Sequence, residues 1–195
     1  KEEAVIVFKH KDQKGKIKGV ALQGIVEDFE LHDRGRLKKT FGDGFTGMSI
    51  KIGNPPSMKD ATDEKPLKII AFEAPIDLMS YYELHKESIG DAVLVSMNGL
   101  RKGTISKLLA NSIAPDITEE MKENYLDVLN KYYKPTNKVQ ITLAVDNDAY
   151  NEKTGVKAGQ DFVDNFNVKV FPVTTHIPAL APNQTKNDWN EQLKL

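Results

Sequence analysis

The sequence predicts an α/β protein, with a mostly parallel sheet flanked by helices and preceded by a small β-rich subdomain. After residue 66, short apolar runs alternate with segments of helical apolar spacing, which is typical of βαβ units. Before it, β-rich runs at 4–8 and 17–25 are separated by a turn of Lys and Gly, which predicts a hairpin. We therefore expect a basic, β-rich subdomain at 1–60 and an α/β domain at 66–195, joined by a linker rich in Pro, Ser, Asp and Lys.

The individual elements are predicted from their local patterns. A glycine-rich turn at 41–44 precedes a partly alternating run at 45–52, which we expect to be a third strand of the N-terminal subdomain. The helix at 118–133 is expected to begin at Thr118, a favourable N-cap, and to place Met121, Tyr125, Val128 and Leu129 on one face. In the α/β domain we predict strands at 67–72, 92–95, 139–145 (the central one) and 168–173, and helices at 76–87, 102–111, 118–133, 155–166 and from 188 or 189 to 195.

Length and composition limit the classes of protein to which this chain can belong. With 195 residues the chain is long enough to bury a hydrophobic core that is stable without covalent cross-links. It has no cysteine, which excludes disulfides, thiolate nucleophiles and Cys-ligated zinc within it. No apolar run reaches transmembrane length and no signal-peptide pattern is present, so we expect a cytoplasmic protein without a membrane partner. Because the chain begins with Lys1 rather than Met, we expect other domains of a longer parent protein.

Positive charge is concentrated in the N-terminal part. Residues 1–60 contain 12 Lys or Arg and 9 Asp or Glu, net +3, whereas the remainder contains 15 and 19, net −4. A nucleic acid would use such basic groups, at 9–18 and 34–39, as phosphate contacts; the alternative is a solvated hairpin kept soluble by lysines. The predicted contacts in the hairpin are Lys9, Lys11, Lys14, Lys16 and Lys18.

The strand predicted at 139–145 is followed directly by Asp146-Asn147-Asp148. Its short apolar run is typical of a strand covered on both faces, and open α/β sheets place their chemistry just beyond the carboxyl ends of such strands. In extended geometry Asp146 and Asp148 point to the same side, where two carboxylates are suitable ligands for Mg²⁺. The alternative is that these residues simply end the strand, since Asp and Asn favour turns.

Three more carboxylates are expected at the same edge of the sheet. Glu73 follows the strand at 67–72, Asp77 lies one helical turn beyond it, and Asp188 follows the last strand. Because converging acids repel one another without a cation, the pattern predicts a site for Mg²⁺ or Mn²⁺. The alternatives are a solvated or capping role for Glu73, a helix-dipole role for Asp77 and an N-cap role for Asp188.

The histidines and the single tryptophan give weaker signals. His10, His32, His85 and His176 are scattered without the spacing of zinc ligands, so no zinc site is expected. Trp189 is expected to pack against the sheet edge, with stacking on a base as the alternative.

These motifs resemble those of the Toprim domain, in the primase-like branch found in plasmid and conjugative-element proteins. That domain carries Glu-Gly-x-x-Asp after its first strand, Asp-x-Asp after its third, and a Lys-Asp-x-Asn-like segment near its end. Order and spacing agree over residues 66–195, so the resemblance implies a Toprim-like, Rossmann-like fold. The matching segments are Glu73-Ala74-Pro75-Ile76-Asp77, Val95-Ser96-Met97-Asn98-Gly99, Asp146-Asn147-Asp148 and Lys186-Asn187-Asp188-Trp189-Asn190.

The chain departs from the family pattern at four places. Ala74 stands where the family prefers Gly, and Asn187 interrupts the last motif. A longer loop separates Asp-x-Asp from Gly155, and the helix at 118–133 is an expected insertion between the second and third strands. None of these departures removes a carboxylate.

The resemblance also implies roles for individual residues. Glu73 would be the general acid/base or the first metal-proximal carboxylate, and Asp146 and Asp148 would hold Mg²⁺. Asp77 and Asp188 would be supporting or second-metal carboxylates. Further phosphate or nucleic-acid contacts would be Lys186, Arg101 and Lys102.

Three functions fit the sequence. The first is Mg²⁺-dependent nucleotidyl transfer of the primase type on DNA, during plasmid replication or mobilisation. The second is a non-catalytic module that binds DNA or a partner protein, and the third is a nuclease that cleaves phosphodiester bonds. The implied partners are DNA, single-stranded in the primase case, and nucleotides. No primase zinc module or helicase-binding region is recognisable, so activity of this fragment alone stays open.

Overall fold

The structure is a computed structural model that describes residues 2–33 and 35–194 and contains two β-sheets. The smaller sheet is antiparallel and consists of β1 (Val5–Lys11), β2 (Ile17–Gly24) and β3 (Lys38–Gly42), in that order. Asp12 fixes the turn between β1 and β2, because its carboxylate accepts hydrogen bonds from the backbone N–H groups of Lys14 and Lys16, both at 2.9 Å. This confirms the predicted hairpin.

The larger sheet consists of β4 (Met48–Ile52), β5 (Leu67–Phe72), β6 (Ala92–Ser96), β7 (Val139–Ala144) and β8 (Val173–Thr175). The strand order is β4-β6-β5-β7-β8; β4 is antiparallel to β6 and all other neighbours are parallel. The carboxyl ends of β5, β6 and β7 therefore share one edge of the sheet. We call this edge the rim. It begins at Glu73 after β5, at Met97 after β6 and at Val145 after β7.

Helices cover both faces of the larger sheet, as predicted for an α/β fold. Leu109 and Leu126 pack on one face, and Leu78 and Trp189 pack on the other. No helix among the described residues is long and apolar enough to cross a membrane. The helices are α1 (Pro75–His85), α2 (Lys102–Ile113), α3 (Glu119–Glu123), α4 (Tyr125–Tyr132), α5 (Ala158–Asp164) and α6 (Trp189–Gln192).

Buried polar groups fasten the smaller sheet to the larger one. His10 in β1 has no exposed surface, and its Nε2 lies 3.2 Å from the side-chain nitrogen of Asn98, in the turn after β6. The ammonium of Lys107 on α2 pairs with the carboxylate of Asp43, which follows β3, and with Glu119 at 2.6 Å. The smaller sheet is therefore held against the turn after β6 and against α2.

The assignment of strands to sheets differs from the prediction in three respects. The strand expected at 45–52 forms β4, but it pairs with β6 in the larger sheet instead of with the hairpin. The third strand of the smaller sheet is β3, in a stretch predicted as the end of a basic segment and the start of a glycine-rich turn. The middle of the larger sheet is β5, with β7 beside it. The division into subdomains at 1–60 and 66–195 stays a prediction.

The later elements also differ from the prediction. The helix expected at 118–133 begins at Thr118, whose hydroxyl accepts from Met121 N at 3.2 Å, but it is interrupted at Asn124. Of the residues expected on one face, Met121 and Val128 are exposed, whereas Leu129 is buried. The helix expected at 155–166 is the shorter α5. The strand expected at 168–173 begins only at its last residue, as β8, while Val170 and Phe171 before it are buried in the core.

Candidate metal and nucleic-acid site

The rim begins with Glu73, which directly follows β5. The turn after β6 holds its backbone in place, because the N–H of Gly99 donates to the carbonyl of Glu73 at 2.8 Å. Gly99 has φ +98° and Asn98 has φ +53°, so this turn uses the left-handed region at two consecutive positions. The Asn-Gly pair of the sequence therefore supports the segment that carries the first carboxylate.

Backbone pairing joins the Asp-x-Asp segment to the last acidic motif. Asn147 and Asn187 form an antiparallel bridge, with reciprocal N–H to carbonyl hydrogen bonds of 2.8 and 2.9 Å. The Asn187 amide also donates to the carbonyl of Ala179 at 2.5 Å, which fixes the segment further. The residue that interrupts the family's last motif is thus a buried structural residue, and it brings Asp188 to the same edge of the sheet as Asp146.

Asp148 and Asp188 each accept a backbone hydrogen bond. The carboxylate of Asp148 accepts from the N–H of Gly159 in α5 at 2.7 Å. A Cβ at Gly159 would lie 2.5 Å from the carbonyl oxygen of Asp146, so only glycine allows α5 to approach this closely. Asp188 caps α6 by accepting from Glu191 N at 2.7 Å, so its predicted N-cap role is confirmed.

Asp77 lies in the first turn of α1 and is 3% exposed. The residue before α1, Ala74, has φ −123° and ψ 157°. This extended conformation is open to any residue, so alanine is compatible with a position where the Toprim pattern prefers glycine. The departure at Ala74 therefore leaves the placement of Asp77 intact.

Glu73, Asp77, Asp146, Asp148 and Asp188, hereafter the five carboxylates, interact electrostatically, since the other four all act on Asp146. Burial raises the pKa of Asp146 to about 9, and repulsion from the other four carboxylates adds to the shift. Burial raises the pKa of Asp77 to about 7, with repulsion from Asp188 and Glu73 added and the Lys38 ammonium opposing it. The rim therefore concentrates negative charge that protons or a cation must neutralise.

The donor atoms at the rim are those that a hard divalent cation requires. Oδ1 of Asp146 is buried and has no hydrogen-bond partner among the described residues, a costly state unless the atom is protonated or bound to a cation. In residues 2–33 and 35–194, no three His, Asp or Glu side chains already converge as a metal-binding group. Magnesium is commonly held by only one or two carboxylates with water completing its shell, so the donor set fits such an ion.

A cleft lies between the smaller sheet and the rim. Its volume is about 220 Å³, and its walls include Lys38, Lys39 and Thr40 of β3 together with Glu73 and Asn98. The Lys38 ammonium acts on Asp77 of the rim, whereas the Lys39 ammonium lies 5.0 Å from the ring centroid of Phe41. Sequence reasoning includes Lys38 and Lys39 in a basic stretch but does not connect them to the rim, because that contact depends on how the two sheets are packed.

The match to known families identifies the fold. The Toprim-like family model covers residues 70–193, a range that includes all five carboxylates. This chain belongs to the Toprim-like family. The mixed sheet and its flanking helices are accordingly a Toprim-like α/β architecture.

Individual relatives of this Toprim-like chain are distant. It is 24% identical to the uncharacterized protein pXO2-78 of Bacillus anthracis, with 97% of this chain and 47% of that protein aligned, so it spans about half of that relative. The primase fragment of the bacteriophage T7 primase-helicase protein aligns with a TM-score of 0.47 and 18% identity over 97% of this chain and 57% of its own. A bacteriophage T7 lagging-strand DNA polymerase structure with primase domains bound to an RNA/DNA hybrid aligns with a TM-score of 0.41 and 16% identity, covering 95% and 69%.

The predicted basic residues of this Toprim-like chain lie in different environments. The hairpin turn lies beside the C-terminal end of α2, where the side-chain amide of Gln13 hydrogen-bonds Ser112 Oγ at 2.9 Å, and it is remote from the rim end of that helix. All five hairpin lysines, Lys9, Lys11, Lys14, Lys16 and Lys18, are exposed. Lys186 is exposed beside the bridge of the last motif.

Two further basic residues lie at the start of α2. Arg101 is exposed and stacks on the ring of Phe45, with its guanidinium carbon 5.3 Å from the ring centroid. The ammonium of Lys102 pairs with Asp127 on α4 and lies 5.8 Å from the ring centroid of Phe166. Lys102 is therefore engaged with α4, whereas Arg101 remains accessible to solvent.

Proposed function

We propose that this Toprim-like chain processes nucleic acid with a divalent cation, Mg²⁺ or Mn²⁺, by primase-type nucleotidyl transfer on single-stranded DNA. The observation that carries the proposal is the gathering of the five carboxylates at one rim, with the buried Asp146 oxygen left without a hydrogen-bond partner among the described residues. A buried carboxylate oxygen without a hydrogen-bond partner, such as Oδ1 of Asp146, is suited to bind a cation.

The proposed roles follow from burial and hydrogen bonding. Asp146 and Asp148 hold the cation, which would neutralise phosphate charge during transfer. Glu73, next to the cleft, takes the proton of the attacking hydroxyl as a general base. Asp77 and Asp188 keep the site negative and support the two principal metal-binding carboxylates.

The cleft is the proposed path for nucleic acid and nucleotide. Lys38 and Lys39 line it and would contact phosphates, with the exposed Arg101 and Lys186 as further contacts. The biological setting we propose is replication or mobilisation of a plasmid or conjugative element, which fits a relative designated pXO2-78. Because the chain spans 47% of that relative, other domains of a longer protein would supply further steps.

The test is synthesis of labelled oligonucleotide from nucleoside triphosphates on single-stranded DNA, with and without Mg²⁺ or Mn²⁺. Asp146→Asn is expected to abolish product, and Glu73→Gln is expected to lower it by about 100-fold or more, the usual contribution of a general base. Asp116→Asn, at an exposed aspartate on the loop before α3, is the matched control and should retain activity. Metal-independent product, or full activity in Asp146→Asn, would refute the catalytic assignment.

The route of the nucleic acid has its own test. Changing both Lys38 and Lys39 to Gln should reduce the salt dependence of single-stranded DNA binding by about one unit of log–log slope for each of the two ammonium groups that binds a phosphate. The matched pair is Lys14→Gln with Lys16→Gln at the hairpin turn. Binding that depends on Lys14 and Lys16 instead would locate the nucleic acid on the hairpin and away from the cleft.

One observation favours a second function, a non-catalytic module that binds DNA or a partner protein. Two of the five carboxylates, Asp148 and Asp188, already accept backbone hydrogen bonds, and no three metal-ligating side chains converge in the described parts of the chain. In such a module Asp146→Asn would leave DNA binding unchanged and no cation would stabilise the fold. Strand cleavage by the same carboxylates is the other enzymatic outcome, and the synthesis assay reveals it as shortened template.

A further inference from the structure

A second cluster of titratable side chains lies on the face of the larger sheet that α1 and α6 cover. Tyr81 and His85 of α1 meet His176, which follows β8, and Trp189 of α6. Ring centroids are 4.4 Å apart for Tyr81 and His85, 5.2 Å for His85 and His176, and 4.9 Å for His176 and Trp189. The fold thus brings together two histidines that are far apart in the sequence.

The two imidazoles have the separation of two ligands of one metal ion. With Zn–N bonds of about 2.0–2.1 Å and a tetrahedral angle, two imidazole centroids lie about 5 Å apart. The observed distance between His85 and His176 is 5.2 Å, and their planes are inclined by 51°. This inclination differs from the parallel arrangement of stacked rings.

His85 has a nitrogen that lacks a partner. Its Nε2 is buried and accepts or donates no hydrogen bond among the described residues. Such a nitrogen is costly unless something binds it. Burial, with the neighbouring His176, lowers the pKa of His85, and burial lowers the pKa of His176, so both imidazoles favour the neutral form that binds metal.

The second imidazole is oriented by a neighbour. The Tyr81 hydroxyl and His176 Nδ1 are 2.8 Å apart, within hydrogen-bond distance. Histidines that bind metal generally donate from their other ring nitrogen, and the Tyr81 oxygen can accept from Nδ1–H in the tautomer that leaves Nε2 of His176 free to bind an ion. His176 is exposed, so an ion in solution would reach this pair from the His176 side.

We propose that His85 and His176 bind a borderline divalent ion of the Zn²⁺ class, with water completing the coordination shell. Imidazole nitrogens prefer such ions, whereas the oxygens of the five carboxylates prefer Mg²⁺ or Mn²⁺, so the chain offers two chemically distinct metal sites. A bound ion would tie α1, the helix that carries Asp77, to the segment after β8. This proposal is independent of the proposed nucleotidyl transfer.

The test is isothermal titration with Zn²⁺ in excess Mg²⁺, which occupies oxygen sites. Wild type should bind one Zn²⁺ per chain, and His85→Gln and His176→Gln should each weaken binding at least tenfold, since even changes to the groups that only orient a ligand cost about 10–100-fold. His32→Gln is the control, because this imidazole pairs with Glu3 at 2.8 Å in the loop between β2 and β3. Asp146→Asn should also bind Zn²⁺ normally, which separates this site from the five carboxylates.

Three outcomes overturn the proposal: no binding by wild type, binding by both histidine variants as tight as that of wild type, or loss of binding in Asp146→Asn. Circular dichroism of each variant checks the fold. If His85→Gln unfolds, the exposed position His176 still decides the question. A zinc-induced change in the ring proton resonances of both histidines in wild type is the confirming second measurement.

Discussion

The charge state of Asp146 gives the sharpest prediction about this protein, through the substitution Asp146→Asn. The pKa of its carboxyl is raised from 3.8 to about 9, chiefly by burial and then by repulsion from the other four carboxylates. A raised pKa means that the folded state holds the proton more tightly than the unfolded state does. The contribution of this proton to the free energy of unfolding is therefore complete below pH 4, and it is lost as the pH rises toward 9.

The magnitude follows from the shift. Each pH unit between the ordinary and the raised pKa costs about 1.4 kcal/mol of unfolding free energy, so the Asp146 carboxyl costs on the order of 4 kcal/mol at pH 7. Asparagine has nearly the same shape and no charge. Without divalent cation, Asp146→Asn should therefore be the more stable protein at pH 7, with a melting temperature higher by about 10 °C for a domain of this size.

Thermal unfolding between pH 4 and 9, with and without Mg²⁺, is the assay. The two proteins should coincide near pH 4 and diverge as the pH rises. Mg²⁺ should raise the wild-type midpoint by binding the folded state, and it should leave the Asp146→Asn midpoint nearly unchanged. A variant that is no more stable than wild type at pH 8, or that responds equally to Mg²⁺, would refute the reasoning. Asp116→Asn, at an exposed position, controls for a general change in net charge.

Three further outcomes are expected. The affinity for Mg²⁺, measured by titration, should increase between pH 6 and 9, because Asp146 must lose its proton to bind the ion; a constant affinity would contradict its role as a ligand. Gly159→Ala should destabilise the fold by about 1–3 kcal/mol in urea and weaken Mg²⁺ binding, because its Cβ would meet the Asp146 carbonyl at 2.5 Å. Lys107→Met should cost about 1–3 kcal/mol, because it removes charge-assisted hydrogen bonds to Asp43 and Glu119; unchanged stability would show that the pairs are dispensable.

The positions of the carboxylate motifs could be predicted from local sequence pattern. Asp146 and Asp148 follow an apolar run that has to be a buried strand, and Glu73 follows another, so their place at one edge of a parallel sheet follows from strand polarity. Asp188 is predicted to follow the last strand or to cap a helix, and it does both. Such features depend on a few neighbouring residues and on the rule that parallel strands end together.

Features that depend on packing between distant segments are not predictable in the same way. The sequence marks 34–39 as basic, but only the packing of the two sheets brings Lys38 to Asp77 and lines the cleft. The run at 45–52 is correctly predicted to be a strand, but the predicted sheet is wrong, because alternation identifies a strand without naming its partner.

Periodicity and strand direction are local properties, so the α/β class, the alternation of strands and helices after residue 66, and the acidic residues at strand ends all follow from the amino-acid sequence. Two other features follow only from the three-dimensional packing: Asn147 and Asn187 bridge two motifs, and His85 and His176 meet around Tyr81. The physical reason is that contacts between remote segments form only when the whole core packs together. A short-range sequence pattern depends on neighbouring residues alone and cannot predict them.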